Sequence, residues 1–472
     1  MVKQLHEIFA QVALLYPEII LASLLVVLVL LSAFSVSYRT CLAVFILGMC
    51  GVMIATSFVP LPLPISESVL VIHSSTAVSF KYLFASSAIL TAILSYKEQN
   101  QRKDGLFLAL LAMIVLGMNL TVSTNHLLLL YLGLEVVSVC SYLLMLFTKT
   151  EKTREAVLKY FLIGATTSGI MLYGISLLYG FTGSLSLVVI AQKALQLAPL
   201  PFYFACILTL TGVLFKVVAV PLHTWVGDVY EGTATSFVAF LTTGSKFLGI
   251  AVFYNILQIS VLYKLPMHYF VSILAIASLL IGTLGAIWQQ NVKRLLAYSS
   301  VAHSGFLLAL LSILGTPTNA IFSALLFYLL TYLLLSYGAF YSILLVENER
   351  KTPTLQAFAG IGKTQGWFGM LLLVIFMGFA GLPPTAGFTA KLLVFMGLLS
   401  SYGATNEVIT VVLLAVMVLT SLFSLYFYLK IPYYMFFKQA TEKPISTTLL
   451  DKLILGLLGI GILLLFFKPM VL

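Results

Sequence analysis

Long apolar stretches alternate with short polar breaks along the whole chain, and the apolar stretches number fourteen. About 20 apolar residues in a helix cross the hydrocarbon core of a bilayer, whereas the strands of a membrane barrel are shorter and alternate polar with apolar positions. The pattern therefore predicts an all-α polytopic membrane protein with about 14 transmembrane helices. We expect these helices at 13–33, 39–59, 77–96, 105–121, 124–147, 156–181, 203–226, 235–257, 267–287, 292–315, 318–346, 366–400, 406–430 and 448–467.

The amino-acid composition supports the membrane class. Hydrophobic residues make up 61% and charged residues 8% of the chain, whereas soluble globular domains hold roughly 25% charged residues. The first apolar stretch is longer than the roughly 7–15 residues of a signal-peptide core, so we expect it to be kept as a transmembrane helix. The segments between helices are too short to form a separate soluble domain.

The four cysteines are Cys41, Cys50, Cys140 and Cys206. Each lies in or at the end of a predicted helix, and no two have the Cys-x-x-Cys spacing that is typical of metal sites. We therefore expect them to be small apolar packing residues rather than metal ligands or disulfide partners. Accordingly, the sequence predicts no cofactor and no electron-carrying centre in this chain.

The basic residues are distributed unevenly between the two sides of the predicted membrane. The formal net charge is +10, and sixteen Lys and Arg residues fall in or beside loops that follow odd-numbered helices, against five, including Lys81, on the other side. Loops rich in Lys and Arg face the cytoplasm. The bias predicts periplasmic termini and explains the positive charge without nucleic acid. The loops predicted to be cytoplasmic include 97–104, 148–154 and 347–365.

Four basic residues that are not counted in or beside loops fall inside predicted helices, and one acidic residue sits well inside a helix. The basic ones are Lys159, Lys216, Lys246 and Lys391, and the acidic one is Glu135 in LLLLYLGLEVVSVCSYLL. An ionisable group at the centre of a bilayer costs at least a few kcal/mol, so such a group usually belongs to a proton relay, an ion path or an ion pair. These five residues are therefore the first candidates for a functional site.

Simpler interpretations stay open for several candidates. Lys159 lies about one turn from a predicted cytoplasmic loop, so its ammonium could reach the membrane surface instead of pairing with Glu135. The other buried lysines could serve the structure by donating to backbone carbonyls. His223 and His303 each fit either an ordinary hydrogen-bonded histidine or a proton carrier.

Prolines interrupt two of the predicted helices close to a lysine. Pro221 follows Lys216 in helix 7. A proline removes a backbone hydrogen bond and clashes with the preceding turn, so we expect helix 7 to break or kink just beyond Lys216. The stretch 366–400 would be about 52 Å long as one straight helix, so helix 12 must break, and Pro383 and Pro384 mark the place. Broken backbone inside a membrane is tolerated where it lines a hydrated cavity, which makes both breaks candidate proton sites.

The two broken helices are five helices apart. If helices 4–8 and helices 9–13 are copies of one another, the second copy runs through the membrane upside down, because five is odd. Inverted repeats of this kind are common in transporters, whose sites lie near the bilayer midplane. We therefore predict inverted five-helix repeats at 105–257 and 258–430, with helices 1–3 at 1–104 and a loop with helix 14 at 431–472.

Five ordered motifs resemble those of a known family. They read LGLEVVSVCSYLL, EAVLKYFLIGATTSGIMLYGISLLYGFTG, FKVVAVPLHTWVGDVYEG, QNVKRLLAYSSVAHSGF and AGLPPTAGFTAKLLVF. Together they are similar to subunit N of the proton-pumping NADH:quinone oxidoreductases, the respiratory complex I family, over residues 105–430. The length and the helix count resemble the bacterial or plastid form of that subunit.

The resemblance implies roles for the buried polar residues. It identifies helices 4–8 and 9–13 as antiporter-like repeats. The residues that match the family's proton-path positions are Glu135, Lys159, Lys216, His223, Lys246 and Lys391. The loop after helix 7 departs from the family pattern at Gly227, Ala234 and Ser236, whereas the charged positions match.

The resemblance also implies the surroundings of the chain. The partners would be other membrane-arm subunits, including a second antiporter-like subunit, together with protons, internal water and membrane lipid. Flavin, iron–sulfur clusters and quinone would be held in other subunits of this translocase. The implied location is the bacterial inner membrane, with the thylakoid membrane as the alternative.

The expected chemistry is a proton relay coupled to quinone reduction elsewhere in the complex. Burial favours the neutral amine of a lysine, and a nearby carboxylate favours the ammonium. Lys216 could therefore load a proton when Glu135 is close and release it towards Lys246 and Lys391. Two alternatives stay open, namely a subunit of a stand-alone cation/proton antiporter and a scaffold that fills the membrane arm without conducting protons.

Overall fold

The computed structural model describes residues 15–59, 74–98, 104–148, 150–194, 199–262, 267–315, 321–439 and 444–467. Helices occupy most of these residues, and the β-type contacts among them are two isolated bridges. Residues 13 and 14 of the first predicted helix lie outside the described residues, as do the chain termini and parts of the loops at 97–104 and 148–154.

The helices are numbered α1 to α19 in chain order. The first ten are α1 (Tyr16–Ala33), α2 (Tyr38–Phe58), α3 (Ser75–Lys97), α4 (Gly105–Val122), α5 (Leu127–Met145), α6 (Glu151–Thr182), α7 (Leu187–Ala194), α8 (Pro199–Val217), α9 (Val226–Gly232) and α10 (Thr235–Phe240). A π-helical turn at Leu241–Ser245 joins α10 to α11 (Lys246–Leu262). The others are α12 (His268–Ile287), α13 (Val292–Ser312), α14 (Ile321–Arg350), α15 (Ile361–Thr364), α16 (Gly366–Ala380), α17 (Ala386–Thr405), α18 (Val408–Phe437) and α19 (Leu449–Phe467), with a 3-10 turn at Leu355–Phe358.

Fourteen helices of the described part of the chain are long and apolar enough to cross a membrane. In that count α10, the π-helical turn and the first part of α11 form one helix, Thr235–Gln258, and the shorter α16 is set apart from α17. The outer faces carry large exposed apolar side chains, such as Leu47 and Leu457. The predicted class and helix number are therefore confirmed.

The described residues fall into two compact units. The first unit comprises the described residues of Met1–Val217 and Gly244–Tyr263, and the second comprises those of Val218–Thr243 and Lys264–Leu472. In the second unit α13 and α14 are almost wholly buried and form its core. The inverted repeats at 105–257 and 258–430 concern internal symmetry, which this division does not measure, so they stay a prediction.

Helix 7 breaks just beyond Lys216, as Pro221 predicts. The break divides the predicted span 203–226, since α8 ends at Val217 and turns follow until α9 begins at Val226. Val218 has a φ of +64°, a left-handed conformation that ends the helix. Within the second unit, the freed N–H of Val220 donates to Ser278 Oγ at 3.1 Å, so the break keeps its backbone partly paired.

Helix 12 breaks at the predicted prolines. The first half, α16, ends at Ala380, and Gly381 follows with a φ of +80° and donates its N–H to Met377 O at 2.9 Å. Glycine carries no Cβ, so it adopts this left-handed conformation at little cost. Pro383 and Pro384 then separate the halves, and α17 begins at Ala386.

The π-helical turn at Leu241–Ser245 was missed, because the predicted helix at 235–257 was continuous. Thr242 Oγ1 donates to Val238 O and Thr243 Oγ1 to Ala239 O, both at 2.8 Å. Threonine hydroxyls that bond a carbonyl four residues earlier compete with the backbone ladder. This competition favours a local change of helix type immediately before Lys246.

Glycines bring α12 and α13 into close contact in the second unit. A Cβ placed on Gly282 would lie 2.3 Å from the backbone nitrogen of Ala302, and one on Gly305 would lie 2.8 Å from that of Leu279. Small residues let transmembrane helices approach until their backbones touch. Neither position could hold a larger residue without moving a helix.

Candidate functional site

In the first unit, the Glu135 carboxylate on α5 lies against α6. Ser168 Oγ donates to Glu135 Oε1 and lies 3.4 Å from the hydroxyl of Tyr131. Both Glu135 and Ser168 are half-buried. Ser168 was not among the predicted residues, and its only sequence signal is the polar run GATTSG inside an apolar helix.

Lys216 is buried near the end of α8 among aromatic rings. The residue is only 3% exposed, and its Nζ has no hydrogen-bond partner among the described residues. Nζ lies 5.6 Å from the ring centre of Phe215 and 5.8 Å from that of Tyr160, so the rings offer only weak cation–π contact. Glu135 lies within electrostatic range of Lys216.

Lys246 starts α11 and is completely buried. One turn further along, a Cβ placed on Gly249 would lie 2.9 Å from the nitrogen of Val217 and 3.1 Å from the carbonyl carbon of Lys216. This contact places the first turn of α11 directly against the end of α8. The fold thus brings the helix segments of two predicted lysines together.

Lys159 is more exposed than Lys216 and Lys246. Its Nζ forms a 2.7 Å ion pair with Glu155 on the same helix, and the two side chains are 41% and 66% exposed. This position agrees with the simpler interpretation, in which the ammonium reaches towards the membrane surface. The pairing of Lys159 with Glu135 stays a prediction.

In the second unit, Lys391 caps the broken helix 12. Its Nζ donates to Ala380 O at 2.8 Å, lies 3.5 Å from Ser424 Oγ, and lies 5.3 Å from the ring centre of Phe306. Ala380 is the last residue of α16, whose final carbonyls lack helical partners and carry a partial negative charge. The lysine therefore compensates the break that the prolines cause.

His303 on α13 has a hydrogen-bond partner at each ring nitrogen. Nδ1 lies 2.7 Å from the hydroxyl of Tyr328, and Nε2 lies 3.1 Å from that of Tyr428, which also bonds Ser299 Oγ. The histidine is 5% exposed. A phenol can donate or accept, so this buried chain can pass a proton or simply hold the ring in place.

A small cavity links His303 to Lys391. Its volume is about 10 Å³, and its lining includes both of these residues, Tyr332 and Thr331. Thr331 Oγ1 is buried without a hydrogen-bond partner among the described residues. A polar cavity of about this size is the smallest that holds one water. One water here would bond Thr331 Oγ1 beside Lys391 and Tyr328, since both ring nitrogens of His303 are already bonded to tyrosines.

His223 lies in the segment between α8 and α9, two residues after Pro221. It is half-buried, and its Nδ1 has no hydrogen-bond partner among the described residues. Its carbonyl accepts from Val226 N at 3.0 Å and so helps to start α9. The structure therefore leaves both interpretations of His223 open.

Ion pairs hold the loop after helix 7, where the sequence departs from the family pattern. Arg294 on α13 lies 2.9 Å from Asp228 and 3.3 Å from Glu231. Its neighbour Lys293 is buried, pairs with Glu347 at 3.0 Å and donates to Thr233 O at 3.1 Å. The departing residues Gly227, Ala234 and Ser236 are all buried. Basic residues that indicated topology thus also fix this loop.

A buried ion pair in the first unit was missed. Lys81 Nζ on α3 lies 2.7 Å from Glu18 Oε1 on α1, and the side chains are 1% and 6% exposed. The sequence placed Lys81 at the outer end of a helix and gave Glu18 no role. Hydropathy could not show that two helix ends pack against each other.

The described residues contain no group of three or more His, Cys, Asp or Glu that could hold a metal. The four cysteines are all free, and Cys41 and Cys140 are buried.

Comparisons with known proteins agree with the resemblance of the motifs. A family model described as NADH:quinone oxidoreductase/Mrp antiporter, TM matches residues 124–424. The chain is 36% identical over 422 residues to NADH-quinone oxidoreductase subunit N of Chlorobium chlorochromatii, covering 84% of this chain and 80% of that protein.

Solved structures show the same similarity. A chain of respiratory complex I from Thermus thermophilus with bound aureothin matches with a TM-score of 0.80 and 30% identity, over 96% of this chain and 97% of that one. A chain of the Mrp complex from Dietzia sp. DQ12-45-1b matches with a TM-score of 0.81 and 19% identity, over 96% and 94% of the two chains. The second likeness concerns the fold alone.

Proposed function

This chain belongs to the NADH-quinone oxidoreductase subunit N family, and from that premise we propose that it carries protons across the membrane through its buried lysines. The chain would form part of the membrane arm, together with other antiporter-like subunits. Quinone reduction elsewhere in the complex would drive the transfer. Its termini would face the periplasm of a bacterial inner membrane.

The observation that carries this proposal is the environment of Lys216. A buried ammonium without a hydrogen-bond partner costs far more free energy than a buried neutral amine. The Glu135 carboxylate opposes this effect, since it favours the charged lysine. Lys216 is thus held between two opposed influences, and a small change in its distance from Glu135 would move a proton on or off it.

The second unit supplies a matching step. Lys391 donates to the carbonyl that ends α16 and also lines the small cavity beside His303. A proton that reaches His303 could pass through the hydroxyl of Tyr328, which lines the same cavity, and one water to Lys391 in its neutral form. The buried tyrosines around His303 would keep its ring oriented for this transfer.

A second candidate function is that of a cation/proton antiporter subunit, because the fold also matches a chain of an Mrp complex. The sequence identity to subunit N proteins favours the NADH:quinone oxidoreductase arm. Copurification of the chain with NADH-oxidising subunits would separate the two functions.

The test is proton uptake per NADH oxidised, measured in vesicles that hold the assembled complex. Lys216→Arg and Lys216→Ala should reduce uptake to a similar extent, because a guanidinium does not release its proton at accessible pH. The control is Lys452→Ala, which removes a lysine that lies 5.5 Å from the ring centre of Trp367 at a helix end. It should leave uptake unchanged.

Assembly of every variant is checked first by native gel. Wild-type uptake in Lys216→Arg would show that this position needs only a positive charge and would refute the relay. Wild-type uptake after joint replacement of Lys216 and Lys391 by methionine would favour the non-conducting scaffold.

A further inference from the structure

A second, larger cavity lies in the second unit, and none of the proposed relay lysines lines it. It has a volume of about 730 Å³, within the range of about 300–1,000 Å³ that is typical of small-molecule sites. One wall is apolar and consists of Leu422, Leu425 and Leu429 on α18. The other end is polar and holds Lys430 and Gln290. We call this cavity the α18 groove.

Exposed aromatic residues surround the polar end of the α18 groove. Tyr426 and Tyr433 line it and are 60% and 51% exposed. Trp288, two residues before Gln290, is 81% exposed. Trp and Tyr are enriched where a membrane protein crosses from lipid tails to headgroups. This end therefore lies at headgroup level, on the side predicted to face the cytoplasm.

Lys430 is held in a fixed position at this end. Its Nζ donates to Ile287 O and lies 4.7 Å from the ring centre of Tyr426. An ammonium has three donors, so two can still reach a ligand in the groove. Lys438 adds a second positive charge nearby, since it lies 5.9 Å from the ring centre of Tyr433. None of the described lining residues is acidic.

We propose that the α18 groove binds one anionic phospholipid from the surrounding membrane. Lys430 would bind the phosphate, and one acyl chain would lie along Leu422, Leu425 and Leu429. The positive charge complements an anionic headgroup, and a basic pocket between transmembrane helices on the cytoplasmic side is a common form of such sites. The proposal does not rest on the proton path, although Leu422 and Leu425 also line the cavity that Lys391 lines.

The test is native mass spectrometry of the full chain in detergent, titrated with dioleoyl phosphatidylglycerol or dioleoyl phosphatidylcholine. The wild type should retain one phosphatidylglycerol roughly fivefold more tightly than phosphatidylcholine, the preference expected for one lysine near an anionic lipid. Lys430→Gln should remove most of that preference, because Lys438 is the only positive charge that the proposal leaves near the groove. Leu425→Trp keeps the charge but fills the apolar wall, so it should reduce retention of both lipids.

The matched control is Lys452→Gln, which removes an equal charge beside another aromatic residue, Trp367, outside the groove. It should keep the wild-type preference. Equal loss in Lys430→Gln and Lys452→Gln would refute the site, because only overall charge would then matter. An absence of headgroup preference in the wild type would do the same. A cross-link from Leu425→Cys to another subunit in the assembled complex would also refute the site, since the groove would then be a protein interface.

Discussion

The buried ion pair between Glu18 and Lys81 offers a test of stability that is independent of function. We consider replacing each residue by methionine, singly and together. Methionine is unbranched and apolar and fills irregular gaps, so it approximates the shape of both side chains without their charge. The pair joins α1 to α3, and these helices lie outside the predicted repeats.

The expected magnitude follows from burial. With side chains only 1% and 6% exposed, loss of either partner leaves a charge in an apolar environment, which costs about 3–5 kcal/mol. Loss of both removes the charges together and should be close to neutral, or stabilising by about 1–4 kcal/mol. Glu18 Oε2 is buried without a hydrogen-bond partner among the described residues, so the native pair is incompletely hydrogen-bonded. The double variant removes this unbonded oxygen as well, which favours the stabilising end of the range.

The assay is reversible unfolding of the full chain by sodium dodecyl sulfate in mixed micelles, followed by circular dichroism. The control pair is Glu151 and Arg154 on α6, whose side chains are 86% and 72% exposed and 2.8 Å apart. Removing either should change the free energy of unfolding by less than about 1 kcal/mol. A cost for Lys81→Met no larger than for the control pair would refute the reasoning, as would a double variant less stable than both single ones.

Two further predictions concern helix contact and the small cavity. Gly282→Ala should lower the free energy of unfolding by about 1–3 kcal/mol, because its Cβ meets the backbone of α13. The control is Gly456→Ala, whose Cβ would have no neighbouring atom within 4 Å, so it should be neutral or slightly stabilising in the same assay. Equal changes in stability for the two variants would contradict the close packing of α12 and α13. Thr331→Val should keep the stability of the chain but reduce proton uptake in vesicles, since it removes an unpartnered hydroxyl that would hold a water. Unchanged uptake would exclude this water from the proton path.

The sequence by itself determined the membrane class, the number of helices and the two breaks. These features are local, since a run of apolar residues sets a span and a proline removes a hydrogen bond in its own helix. Pro383 and Pro384 therefore fell at the observed break. Helix 7 likewise ends just beyond Lys216, where Val218 adopts a left-handed conformation three residues before Pro221.

Only the tertiary structure decided which groups meet. Ser168 reaches Glu135 from a neighbouring helix, Lys391 bonds the carbonyl that the prolines free, and Lys81 finds Glu18 across 63 positions of sequence. Hydropathy shows that a charge is inside the membrane but cannot show its partner, because the partner depends on how helices rotate and pack. A buried charge must be compensated, so the sequence predicts that each such charge has a partner, and the packing of the helices decides which residue that partner is.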